Sequence, residues 1–188
     1  MNVRVLGEEH VAEKDLPGHM YKSLKPSLKW KPQVNQELLG QGMIKRQKVY
    51  HPMWIVKLLV IAERKPFPPR TRPNMVFVDA ISGYRGLFPS VPPILSQDVS
   101  QANVKQAAIT KQELLNKYVI DVQEKQINRS YVLKKPRYEV KSAELVYLPL
   151  WEAHVETDAL TQTFVINANT GESENLLKSL WSSREWQL

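Results

Sequence analysis

From Leu150 to Glu156 the chain alternates, with Trp151, Ala153 and Val155 apolar and Glu152, His154 and Glu156 polar or charged. That period of two predicts a half-buried β-strand with one face on a core and the other in water. Between Met53 and Ala62 the alternation gives way to an apolar run, rich in β-branched residues and interrupted only by Lys57, as in a strand covered on both faces. Helical spacing follows the capping box Thr110-Lys111-Gln112-Glu113, where Leu114, Leu115, Tyr118, Val119 and Val122 share one face and the helix is expected to reach Asn128. A shorter helix is predicted over Gln33 to Leu39, ending at Gly40, and an amphipathic one over Ser173 to Trp181. Tyr131-Val132-Leu133, Arg137 to Val140 and Ala143 to Trp151 read as strands broken at Pro136. Together these elements predict an α+β fold.

Part of the pattern occurs twice. Val49-Tyr50-His51-Pro52-Met53-Trp54 recurs as Val146-Tyr147-Leu148-Pro149-Leu150-Trp151, identical at four of six positions. Further on, Val76-Phe77-Val78-Asp79-Ala80-Ile81-Ser82-Gly83 matches Phe164-Val165-Ile166-Asn167-Ala168-Asn169-Thr170-Gly171 in the same order. The first blocks lie 97 positions apart and the second 88, so the first copy holds nine more residues, which fall in the segment Arg64 to Pro73 and read as a loop. An internal duplication is therefore expected, with each unit a helix packed on its own antiparallel sheet. The first unit is residues 1–94 with the insertion 64–73, and the second is residues 95–188 with the C-terminal helix. The proline-rich stretch Phe88 to Ile94 joins them. Asp79 to Gly83 and Asn167 to Gly171 read as turns, because Asp or Asn bonds the backbone two residues on and glycine takes the positive φ. One carboxylate per turn is too few for calcium, which takes six to eight oxygens.

A strand opening on an aromatic-x-Pro-x-Trp pattern, followed by a strand closing on Phe77-Val78-Asp79-Ala80 and a Ser82-Gly83 turn, resembles PepSY-type repeats over residues 49–86 and 146–174. The resemblance implies a cystatin-like helix on an antiparallel sheet in each half and implies no catalytic residue. Modules of this kind usually stand behind a signal or anchor, and none is visible in this sequence.

Composition narrows the chemistry. The absence of cysteine removes disulfides, thiolate zinc, iron–sulfur ligation and cysteine nucleophiles. His10, His19, His51 and His154 form no metal-ligand spacing, and no phosphate-cradling glycine loop or nucleophile elbow occurs. No catalytic, cofactor-binding or metal-binding set emerges, so a non-enzymatic role is expected. No stretch has the length of a membrane span, and the first residues lack a signal-peptide core, which predicts a cytoplasmic protein. Glu152, His154 and Glu156 share a strand face and form a strip of ionisable groups.

The net charge of +7 is uneven: residues 1–94 carry 15 Lys and Arg against 7 Asp and Glu, and residues 95–188 carry 11 against 12. Its most shaped part is the insertion, where Arg64, Lys65, Arg70 and Arg72 alternate with prolines around Phe67. Such an arm suits contact with an acidic partner protein or cell-surface component. The alternative is nucleic-acid binding by the same residues together with Lys22, Lys25, Lys29 and Lys31 around Trp30, and with Lys45, Arg46 and Lys48. If Trp30 belongs to the core instead, those lysines are a solvated surface.

Overall fold

The computed structural model describes residues 1–90, 92–174, 177, 179 and 181. Strand β1 (Asn2–Leu6) leads into three short helices, α1 (Leu16–Ser23), α2 (Pro26–Lys29) and α3 (Gln36–Gln41). A long hairpin follows, β2 (Met43–Arg64) and β3 (Phe67–Asp79), and then β4 (Arg85–Phe88) and β5 (Ile94–Asp98). A helical run over residues 111–130, α4, precedes β6 (Arg137–Glu156) and β7 (Thr161–Asn167). The sheet order is β4-β3-β2-β6-β1-β5, with β7 paired to β6. The β1–β5, β2–β3, β3–β4 and β6–β7 ladders are antiparallel, and β1 meets β6 in parallel at Val5 and Tyr147. The fold is thus α+β with a mostly antiparallel mixed sheet.

The described residues form two units, and each draws on both halves of the chain: those within 1–51, 93–105 and 147–181 make one, and those within 52–92 and 106–146 the other. The chain passes from one unit to the other inside β2, between His51 and Pro52, and inside β6, between Val146 and Tyr147. Both crossings fall in the repeated aromatic-x-Pro-x-Trp segment.

In the unit built on the β2–β3 hairpin, Trp54, Val56, Leu58 and Val60 of β2 and Val76 and Val78 of β3 pack against Leu114, Tyr118, Val119, Val122 and Ile127 of α4. Leu58 and Leu114 are fully buried, and each such side chain contributes about 2 kcal/mol. Thr110 and Glu113 cap the helix reciprocally, as the sequence predicts. α4 is not uniform: π-helical turns at Leu114–Tyr118 and Gln123–Ile127 widen it, so that Ile127, five residues past Val122, still reaches the core.

In the other unit, Leu16, Met20 and Leu24 of α1 and its flank, with Leu39 of α3, pack on Trp151, Ala153 and Val155 of β6 and Phe164 and Ile166 of β7. The alternation in β6 is real: Trp151, Ala153 and Val155 are buried while Glu152 and His154 are half-exposed and Glu156 exposed. The expectation that each helix covers the sheet of its own half is corrected here, because α4 covers the first hairpin and α1 and α3 cover the second. Periodicity gives a helix its apolar face but does not say which sheet that face meets.

The paired turns use the same hydrogen bonds. The Asp79 carboxylate accepts from the amides of Ile81 and Ser82, and the Asn167 side-chain oxygen accepts from those of Asn169 and Thr170. Gly83 and Gly171 both take positive φ, 80° and 74°. One other expectation changes. Tyr131-Val132-Leu133 is a loop rather than a strand, and β6 begins only after Pro136. The helix expected over residues 173–181 lies largely outside the described residues.

Candidate interaction surface

The segment Arg64 to Pro73 is the tip of a hairpin rather than a free loop. β2 and β3 stay paired from Met53 and Asp79 out to Arg64 and Phe67, with a register shift between Ala62 and Arg64 and a tight turn at Lys65-Pro66. Side chains two apart share a strand face, so the stripe that carries Val78 and Val76 into the core continues along β3 as Asn74, Arg72 and Arg70. The stripe turns from apolar to cationic as the strand outruns α4. Every residue from Arg64 to Pro73 is exposed, Phe67 at 69%. β4 pairs with Met75 to Val78, so among the described residues the outer edge of β3 is unpaired beyond Met75, and Pro68, Pro69 and Pro73 lack the amide donors that a foreign strand would use.

A second segment of the same unit adds to this end. Glu63, next to the tip, faces Lys134 Nζ at 3.9 Å and Arg137 Nε at 3.8 Å. The loop carrying these cations is fastened from within. Lys135 donates to the carbonyls of Asn128 and Tyr131 at 3.0 and 3.1 Å, and the Tyr138 hydroxyl donates to Asn128 Oδ1 at 2.7 Å. Burial, with Tyr131 adding to it, pushes the Tyr138 hydroxyl up to about 12, so it stays a donor throughout the physiological range. Held this way, the loop leaves Val132 90% and Leu133 100% exposed. At the tip itself, Arg64 donates to the Pro68 carbonyl at 3.2 and 3.3 Å. Among the described residues, no ion pair involves Arg64, Lys65, Arg70 or Arg72. Sequence reasoning missed Lys134, Lys135 and Arg137; the signal was two lysines and a proline directly after two aliphatic residues.

The N-terminal basic residues belong to the other unit. Trp30 is 82% exposed, so it is not a core residue, while Lys29 donates to the Lys22 carbonyl and lies 5.8 Å from the Tyr21 ring centroid. Lys48 is engaged with Glu9 and stands 4.9 Å over the Trp151 ring, and Arg46 pairs with Glu13. In the same unit the ionisable strip lines a cleft of about 220 Å³ with Lys45, Gln47 and Thr163. Gln47 donates to Glu152 at 2.7 Å, and His154 Nδ1 lies 2.9 Å from the Thr163 hydroxyl. Glu156 lies outside that cleft lining, so the structure brings together two of the three expected groups. Among the described residues, no group of three His, Asp or Glu side chains is placed to hold a metal ion.

No protein-family model, no curated protein and no solved structure matches the chain.

Proposed function

We propose that this chain is a binding protein that docks an acidic partner through the basic end of the β2–β3 hairpin. The observation that carries the reading is the approach of Lys134 and Arg137 to Glu63, which sets the cations of a second segment beside Arg64, Lys65, Arg70 and Arg72. Glu63 and Glu139, which is paired with Lys141, are outnumbered there by cations, and the resulting positive surface accelerates and orients encounter with an acidic one. Binding to immobilised poly-L-glutamate, compared between wild type and a variant with Arg64, Lys65, Arg70 and Arg72 changed to Ser, tests it. The variant is expected to bind about tenfold or more weakly at low salt, with the difference shrinking as salt rises. Equal binding by both proteins would remove the hairpin from the reading, and a preference for oligonucleotides over poly-L-glutamate would replace the acidic partner with nucleic acid.

Behind that surface stands a duplicated, PepSY-like architecture in which the two copies have exchanged their helices. Leu16, Met20 and Leu24 correspond to Leu114, Tyr118 and Val122, each pair 98 positions apart, and all six are buried. Ala80 donates to the Pro52 carbonyl and Ala168 to that of Pro149, while the carbonyls of Ala80 and Ala168 accept from Ile109 and Val11 in turn. Equivalent substitutions should then act alike: Leu16→Ala and Leu114→Ala each cost about 3 kcal/mol in denaturant unfolding. A difference of several kcal/mol between them would count against the correspondence.

A further inference from the structure

The acidic partner has a narrower identity, one that rests on the reading of the basic end as a docking surface. We infer that this end engages the surface of an anionic lipid bilayer. Its two projecting segments share one design. On the hairpin, Phe67 sits beside Arg64 and Lys65, and on the loop, Val132 and Leu133 precede Lys134 and Lys135. Each apex therefore carries exposed apolar side chains with cations alongside.

Single exposed apolar residues are ordinary on protein surfaces, but a loop held open so that two consecutive aliphatic side chains stay in water is not explained by packing. Here Lys135 spends its ammonium on the Asn128 and Tyr131 carbonyls, and Tyr138 ties β6 to the end of α4, which fixes the loop with Leu133 outward. A bilayer interface accepts both halves of this pattern, taking apolar side chains at the acyl boundary while lysine and arginine meet the phosphates. Nucleic acid would satisfy the cations and leave Val132 and Leu133 without a favourable contact. A folded acidic protein would need pockets matched to both apices, whereas a fluid bilayer needs no such match.

Because the chain has no cysteine, a Leu133→Cys variant carries one label at one known place. With an environment-sensitive dye there, phosphatidylcholine vesicles containing phosphatidylserine are expected to raise and blue-shift the emission, while pure phosphatidylcholine vesicles leave it unchanged. The same dye on Asn116→Cys, in the exposed middle of α4, should not respond. In vesicle co-sedimentation with unlabelled protein, Lys65→Ser with Lys134→Ser should lower partitioning by about twenty-five-fold at low salt, at about fivefold per cation. Leu133→Ser should lower it by about tenfold with little change in salt dependence.

Poly-L-glutamate and oligonucleotides are run beside the vesicles. Binding to poly-L-glutamate without binding to anionic vesicles overturns the bilayer inference and leaves the acidic-partner reading standing. Binding to oligonucleotides without vesicles overturns the inference in favour of nucleic acid, and binding to none of the three overturns both readings. A dye response at residue 116 equal to that at 133 also overturns it, since the protein would then be adsorbing without orientation.

Discussion

The indole Nε1–H of Trp54 donates to the main-chain carbonyl of Ile109 at 2.9 Å, and both residues are buried. The bond ties β2 to the segment entering α4. In the other unit Trp151 donates to the Val11 carbonyl at the same 2.9 Å, tying β6 to the segment that leads into α1. Trp54→Phe keeps an aromatic ring but leaves a buried carbonyl without its donor, which costs about 2 kcal/mol. Trp151→Phe is expected to cost a similar amount, and urea unfolding of the two variants checks both values.

Gly83 and Gly171 occupy equivalent turns with positive φ. The left-handed backbone by itself makes alanine cost about 1 kcal/mol at either position. At Gly171 an added Cβ would also run into the ring of His19, whose Nδ1 lies 2.9 Å from the Gly171 carbonyl. Gly171→Ala is therefore expected to cost more than the left-handed backbone alone accounts for. Combining it with His19→Ala should recover about 1 kcal/mol relative to the sum of the single effects, a coupling that a double-mutant cycle reads directly.

Local rules made part of this molecule legible. The alternation at Leu150 to Glu156 predicts which residues of β6 are buried, because a strand with one face on a core can only alternate. The Thr110–Glu113 box predicts a helix start because it satisfies donors that any helix start leaves open. The same kind of reasoning picks out Arg64, Lys65, Phe67, Arg70 and Arg72, but places them on a loop. The prolines there suggest a chain without ladder bonds, whereas they sit along the outer edge of a paired strand. Val132 and Leu133 misled more deeply. A short apolar run looks the same whether it will be a buried strand or an exposed apex, and here the outcome was decided by Lys135 and Tyr138, whose bonds no local pattern contains. The choice of sheet by each helix was equally hidden, since α1 and α4 present similar apolar faces.

Asp121 links α4 to the first residue of β4, accepting from Arg85 Nε at 2.7 Å and from Lys125 at 2.5 Å. Burial alone would raise its pKa, but the hydrogen bonds and charges of Lys125 and Arg85 outweigh burial and hold it below the ordinary aspartate range. A depressed carboxylate stabilises the fold above its unfolded pKa, about 3.9, and loses that contribution as pH falls through the folded value. Asp121→Asn should cost about 2 kcal/mol at pH 7. The gap between variant and wild type should narrow below about pH 4, as the wild type loses its own advantage. Thermal unfolding across pH 2.5 to 7 follows both proteins, and a gap independent of pH would deny the pair its electrostatic role.

Glu174 shows the opposite sign. Burial raises its pKa and the charge of Glu172 adds to this, while a hydrogen bond from Asn167 Nδ2 at 3.2 Å and the proximity of His51 work against them. His51 is itself buried and accepts from the Trp181 indole at 2.8 Å, and Lys105 lies 4.7 Å over that same indole. A carboxyl whose pKa is raised in the folded state favours folding while it is protonated. That contribution is complete below the unfolded pKa and is lost as pH rises through the folded one. Glu174→Gln keeps a side-chain oxygen to accept from Asn167 and removes the charge. The variant should melt at a higher temperature than wild type at pH 7 and at the same temperature near pH 4. A lower melting temperature at pH 7 would mean that the carboxylate is stabilised by His51 more than burial opposes it.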